Sequence, residues 1–407
     1  MKAVVIKKAV AVILTVLLVL PVLVLPGCSI VRFSGNDSEK TVTEQTEQQV
    51  TQPETTVETG DTTGNDATTN NTEQTADPAS GLNPGETTQQ EQTGEEKAEL
   101  PKVKALYLTG WTVGSAEKRK HYIELANTTE INAYVVDIKD DDGYVGYESQ
   151  VPEVKEHGTW KKKYDPKKML EEFHANGIYV IGRLVVFKDP VYSQKRPDLA
   201  VKSKKGGLWK DRNGLTWLNP YQKETWEYTV KIAKEAVELG FDEIQFDYVR
   251  FDSDSKGLMD FTGVDKEKYE AINEFLDYAK SEITEVPISA DVFGIILESP
   301  GDTEKIGQYL ELIGKNIDYI CPMVYPSHYA YGQIVNGVKF PAPDLEPYAV
   351  VYNSLIKCKN RIAAVSSGYK AKVRPYLQDF TASWLQPKNG QKMYQTYGPE
   401  QVRQQIK

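Results

Sequence analysis

Short runs of branched and aromatic residues alternate with stretches of helical periodicity along most of this chain, and that rhythm restricts the fold more than any other feature. The strand-like runs fall at 103–111, 131–139, 178–187, 241–251, 287–293, 317–325 and 373–380. Helical patterns fill the intervals at 115–127, 165–176, 224–239, 266–283, 303–314 and 345–358. Gly177 and Gly240 close two of these helices. Strand, helix and strand in succession imply parallel pairing through helical crossovers. Seven such units with no glycine-rich phosphate loop predict a (β/α)8 TIM barrel rather than a doubly wound sheet. After the seventh run the chain reads GPEQVRQQIK, which has the pattern of a helix just begun. The barrel is therefore expected to lack strand eight or to be truncated before it. Truncation is favoured, because an open barrel leaves the edges of strands one and seven unpaired.

The opening residues say where such a barrel would work. Lys2, Lys7 and Lys8 precede an uncharged apolar run over 9–25, the layout of a secretory signal. It ends in Leu25-Pro26-Gly27-Cys28. A small residue before a lone cysteine resembles the lipobox of bacterial lipoproteins, with Cys28 as the lipidated residue; Pro26 fits that pattern imperfectly. The other reading is an uncleaved signal anchor. Both place the remainder outside the cytoplasmic membrane, and the lipobox reading anchors it to the extracellular face by lipid. Residues 29–99 are Thr, Gln, Glu, Asn and Gly with almost no bulky apolar residue. Such a stretch cannot bury enough surface to offset chain entropy and is expected to be a disordered tether. The barrel domain would then run over 100–407.

Several chemistries are excluded. A net charge of −10 without a basic stripe gives no nucleic-acid surface. Three cysteines and four histidines offer neither a disulfide scaffold nor zinc spacing. FDSDSKG, with Asp252, Asp254 and Gly257, has calcium-loop residues, but Gly263 stands where an EF-hand needs glutamate. No metal and no cofactor are expected.

In a barrel of this kind alternate strand residues face the axis, and functional groups gather at strand C-termini. Strand two offers Asp137 and Lys139, followed by DDDGYVGY. Strand three offers Arg183, strand four Gln245 and Asp247 with Arg250 beyond, and strand five Ser289 and Asp291. Strand six offers Met323 and Tyr325 with His328 beyond, and strand seven Gln378 and Asp379. Asp247 and Asp291 occupy equivalent heights on adjacent strands, each after an apolar run. Asp137 could pair with Lys139, and an inward Arg183 requires an acid. Two facing carboxyl groups, one ionised and one protonated, are what glycosidic cleavage requires. Aromatic residues cluster after strand ends: Trp111, Trp209, Trp217, Tyr325, Tyr329, Tyr331 and Trp384. Flat rings with polar rims suit sugar stacking.

YVVDIKDDDG, IGRLVVFKDP, FDEIQFDYVRFDSD, SADVFG, CPMVYPSHY and RPYLQDF, in this order, resemble a bacterial family of TIM barrels grouped with the glycoside hydrolases and distantly related to the α-amylases. The resemblance covers about 104–407. It implies Asp247 as nucleophile, Asp291 as acid/base and Asp379 as transition-state stabiliser. The strand-end positions and aromatic clusters add expected substrate contacts from Asp137, Lys139, Arg183, Gln245, Arg250, Tyr325, His328, Trp111 and Trp384. Two positions depart from the amylase pattern: strand five carries Asp291 rather than glutamate, and Gln245 stands where amylases place an arginine. The chitinase strand-four acid is absent too, its position being Val249. The function expected is an extracellular glycoside hydrolase acting on a polysaccharide or oligosaccharide; the alternative is an inactive barrel that binds surface glycans. No GxSxG elbow supports an esterase.

Overall fold

The computed structural model describes residues 102–407 apart from Ser255. The expected signal segment with Cys28 and the 29–99 tether lie outside the described residues. No helix among the described residues is long and apolar enough to cross a membrane.

Seven strands form one parallel sheet in chain order. They are β1 (Ala105–Leu108), β2 (Ala133–Lys139), β3 (Tyr179–Val185), β4 (Glu243–Asp247), β5 (Ile288–Phe293), β6 (Tyr319–Met323) and β7 (Lys372–Val373). A helix follows each: α1 (Ala116–Thr128), α2 (Pro166–His174), α3 (Lys223–Leu239), α4 (Lys268–Glu282), α5 (Leu310–Ile313), α6 (Pro347–Ala363) and α7 (Pro399–Ile406). This is the (β/α)8 architecture with seven strands present; among the described residues no strand pairs β7 back to β1.

Local chemistry sets these boundaries. Asp165 caps α2 by accepting the Lys168 amide at 3.2 Å, and Pro166 takes the first helical position, where no N–H is needed. Gly240 ends α3 at φ 108°, a left-handed turn that a side chain would oppose. The outward faces of the strands pack on the helices. Phe246 of β4 meets Phe275 of α4 at 5.2 Å, and Phe187 and Trp226 meet the same ring at 5.4 and 6.4 Å. These edge-on contacts join β3, β4, α3 and α4 into one core.

The structure departs from the sequence expectation in instructive places. The predicted helix over 303–314 shrinks to α5, because the Asp302 carboxylate captures the amides of Ile306 and Gly307 at 3.0 Å and competes with helical pairing. The seventh run keeps only two ladder residues, since Pro322 of β6 has no N–H to give Arg374, and pairing resumes with one bridge at Tyr376. β4 stops at Asp247 rather than running on to 251, because Tyr248 adopts φ 49°. A hairpin turning at Asn336-Gly337, formed by Gln333–Val335 and Val338–Phe340, follows β6 and was not anticipated. Cys321 and Cys358 are both buried free thiols.

A bulge matters most for function. Asp137 pairs with Arg183 and Lys139 with Leu184, so β2 carries an extra residue at Ile138. The bulge breaks the alternation that would turn Asp137 and Lys139 to one face. Ile138 lies against Gly182 of β3, where a Cβ would collide with Ile138 and stand 2.9 Å from Phe241. Gly182→Ala is therefore expected to cost about 1–3 kcal/mol, read as a lowered urea midpoint with an unchanged slope.

Candidate active site

β4 explains the acids in FDEIQFDYV. Its outward residues Ile244 and Phe246 enter the core, while Glu243, Gln245 and Asp247 face the barrel axis and each anchors one polar layer. In the lowest layer Glu243 is wholly buried. It accepts from both terminal nitrogens of Arg374, with Nη1 at 3.0 Å from Oε2, and from Ser289 Oγ at 2.5 Å. In the middle layer Gln245 accepts from Tyr376 Oη at 2.5 Å and donates to Cys321 Sγ at 3.3 Å. β7 is thus tied to β4 across the lumen twice.

The top layer holds the expected catalytic acids Asp247 and Asp291. Arg183 of β3 donates from Nε and Nη2 to Asp247 Oδ2, at 2.9 and 2.6 Å. It also donates from Nη1 to Asp137 Oδ1 at 2.8 Å and from Nη2 to Asp141 Oδ1 at 3.0 Å. Tyr107 of β1 completes Asp137, donating to Oδ2 at 2.7 Å. One guanidinium thus holds three carboxylates. Burial works against its charge, but the three acids outweigh burial and keep it firmly protonated.

Asp291 is the odd member. The β4–β5 register pairs Gln245 with Ser289 and Phe246 with Ala290, so the next pair is Asp247 and Asp291. Asp291 is 3% exposed, and its Oδ1 has no hydrogen-bond partner among the described residues. Burial first, and the Asp247 charge second, hold its carboxyl well above the usual carboxylate range, against the pull of Arg183 and Arg374. Asp247 pairs with a cation while Asp291 keeps its proton, the asymmetry that acid/base work on one bond needs.

The rim is aromatic. Tyr325 lies beside His328, with ring centres 5.2 Å apart, and beside Phe380 at 5.4 Å; Trp384 packs on Phe380 at 5.9 Å. Burial pushes the Tyr325 hydroxyl well up, and the charges of Asp291, Asp247 and Asp379 add to the effect in that order. Burial lowers His328 to about 4, which leaves the rim uncharged at neutral pH. Across the barrel mouth Trp111 is 63% exposed on the short helix Gly110–Gly114. Lys163, paired to Asp140, lies 5.9 Å from its ring.

The remaining expected residues lie elsewhere. Lys139 is fully buried against Asp189 at 2.6 Å, turned away from Asp137 by the bulge. Gln245 is sealed one layer below the acids. Arg250 is buried between Trp217 and Phe293, donating to the Phe251 carbonyl at 2.9 Å. Asp379 is exposed, because the lumen phase of its segment is Arg374, Tyr376 and Gln378. Gln378 braces Asp344 at 2.9 Å and the Ser327 amide at 3.0 Å. Trp209 donates to Asp252, Trp217 to Asp211 and Tyr331 to the Gln386 carbonyl. Tyr329 lies in a small separate core. No group of acids, histidines and cysteines among the described residues could hold a metal ion. The sequence reading missed Tyr107, Asp141, Arg374 and Tyr376; for Arg374 and Tyr376 the signal was the two-residue phase leading to Gln378.

A carboxyl whose folded pKa exceeds its unfolded value costs stability as pH rises from the ordinary carboxylate range toward the folded value. Asp291→Asn removes that cost. The variant is expected to melt higher than wild type near neutral pH, with the gap closing below about pH 4, as scanning calorimetry across pH would show.

No curated protein matches this chain significantly. Solved structures to which it is similar include a hypothetical protein from Ruminiclostridium thermocellum ATCC 27405, at 64% identity over 46% of this chain and 97% of that one, with a TM-score of 0.44. Another is the PgaB (BpsB) glycoside hydrolase domain from Bordetella bronchiseptica, at 12% identity over 68% and 94%, with a TM-score of 0.46. A third is the spore cortex-lytic enzyme SleL from Bacillus megaterium QM B1551, at 13% identity over 74% and 56%, with a TM-score of 0.40. Residues 105–407 match the family described as "Putative glycosyl hydrolase domain", and the chain belongs to that family.

Proposed function

We propose that this chain is an extracellular, lipid-anchored glycoside hydrolase that cleaves a polysaccharide with retention at the anomeric carbon. Asp247 is the nucleophile and Asp291 the acid/base. The observation that carries this reading is the β4–β5 register, which ends one residue before Asp247 and Asp291 and so sets them at one height, the first bound to Arg183 and the second buried with Oδ1 unpartnered among the described residues. Neighbouring parallel strands lie about 4.8 Å apart. Carboxyl groups hung from them at one height suit the roughly 5 Å of retaining enzymes better than the wider gap that admits a water.

The reaction follows from these positions. The Asp247 carboxylate attacks the anomeric carbon as the glycosidic C–O bond breaks, and the departing oxygen takes the Asp291 proton. Asp291, now anionic, takes a proton from water, whose oxygen displaces Asp247 and regenerates both groups. Trp111 and the Tyr325, His328 and Trp384 rim offer faces for sugar rings on either side. The missing strand-four arginine favoured an inactive binder; Arg183 supplies a guanidinium to Asp247 from β3 instead, which supports an enzyme.

The test is hydrolysis of starch, xylan, mannan, chitosan and peptidoglycan by the full chain, with product anomers followed by proton NMR. Asp247→Asn is expected to abolish turnover, and Asp291→Asn to lower it about 10²- to 10⁴-fold. Survival of activity in Asp247→Asn would overturn the assignment, and products of inverted configuration would overturn retention. The anchor is tested separately: radiolabelled palmitate should enter the wild-type protein and fail to enter Cys28→Ala.

A further inference from the structure

The nucleophile has two oxygens, and the structure treats them differently. Asp247 Oδ2 accepts two N–H groups from Arg183, at 2.9 and 2.6 Å. Oδ1 accepts a single donor, the backbone N–H of Tyr248, at 2.6 Å. A carboxylate oxygen offers two lone pairs. Among the described residues, the unfilled lone pair of Asp247 is therefore on Oδ1.

That N–H reaches its target through an unusual backbone. Tyr248 has φ 49°, a left-handed conformation that a bulky residue rarely adopts. Its surroundings hold it there. The Asp247 carbonyl accepts from Val186 at 2.8 Å, the Tyr248 carbonyl from Phe187 at 3.3 Å, and Lys188 Nζ donates to the phenol at 3.1 Å. Trp217 packs edge-on against the ring at 5.8 Å. β3 and the loop after it thus fix the peptide that follows the nucleophile. Strain kept in place beside a reacting group points to use.

We propose that Oδ1 of Asp247 is the attacking oxygen, and that the Tyr248 amide is the group that receives its charge when the sugar leaves. The inference rests on the retaining hydrolase reading. In the first step an Oδ1 lone pair forms the bond to the anomeric carbon, the glycosidic electron pair passes to the leaving oxygen, and Asp291 gives that oxygen its proton. Oδ1 is then an ester oxygen with little charge, and the N–H gains little from it. In the second step water attacks, Asp291 takes its proton, and the Oδ1–carbon bond breaks with its electrons returning to Oδ1. Charge reappears directly in front of the Tyr248 N–H. The amide therefore speeds release more than attack, and its loss makes the glycosyl-enzyme accumulate.

The test removes that one hydrogen. The α-hydroxy analogue of tyrosine, p-hydroxyphenyllactic acid, placed at position 248 of the full chain, replaces N–H by oxygen and keeps the ring. On the panel polysaccharide that wild type cleaves, kcat is expected to fall about 10- to 100-fold, with KM falling alongside it and a burst of the first product. Tyr248→Gly, which keeps the N–H and freedom at positive φ but loses the ring contacts, should show no burst whatever its kcat. An ester variant with wild-type kcat, or with reduced kcat at unchanged KM, overturns the proposal. So does a burst from the glycine variant. If Asp247→Asn is inactive while the ester is unaffected, this inference alone falls. If Asp247→Asn is active, or if folded wild type cleaves nothing on the panel, the hydrolase reading falls and takes this inference with it.

Discussion

The Arg183 guanidinium answers three carboxylates at the top of a closed-packed lumen, and the disposition of the whole site depends on it. Asp247, Asp137 and Asp141 come from three segments that like-charge repulsion would otherwise drive apart. Removing one partner from a buried charge network commonly costs about 3–5 kcal/mol. Here three anions would be left at once, so the arginine organises the fold as much as the chemistry. Its pairing also makes the contrast with Asp291 meaningful. Two aspartates sit side by side on neighbouring strands, yet one is given a cation and the other is given nothing. Burial then decides which of them carries the proton.

The layers below make this arrangement rigid. A TIM-barrel lumen is usually filled by branched apolar residues. Here β4 contributes Glu243, Gln245 and Asp247 at successive heights; the lower two meet polar partners from across the barrel, and Asp247 meets Arg183 on adjacent β3. A half-satisfied polar core would be worse than an apolar one. The two lower layers are well paired, while Asp291 Oδ1 keeps an unmet bond in the top layer. The rim of Tyr325, His328, Phe380 and Trp384 adds an uncharged collar that limits water around the acids and so strengthens every charge beneath it.

Much of this was legible in the chain. Alternation gave the strands, helical spacing gave the crossovers, and adjacent strand ends singled out Asp247 and Asp291. What was not legible had local causes. The β2 bulge separates Asp137 from Lys139 by inserting one residue, and insertion leaves no mark in a pattern of period two. Pro322 on β6 shortens the β7 ladder, and the true phase of that segment, through Arg374 and Tyr376, was masked by the more conspicuous Asp379. Tyr248 ends β4 by a backbone choice that its side chain does not advertise. Arg183 looked like an orienting partner and is one, but nothing in sequence says that it stands in for an arginine expected two residues before the nucleophile.

β7 deserves a mechanical description. It holds its neighbour through two ladder residues and one bridge, too little for a stave at the edge of a sheet. Its stiffness comes from struts that cross the hollow: Arg374 to Glu243 and Tyr376 to Gln245. The wall on one side of the barrel is therefore braced by the strand that bears Asp247 on the other. A push on the outer surface near Val373 and Pro375 would be felt at β4, one or two layers beneath Asp247, without passing through any intervening strand.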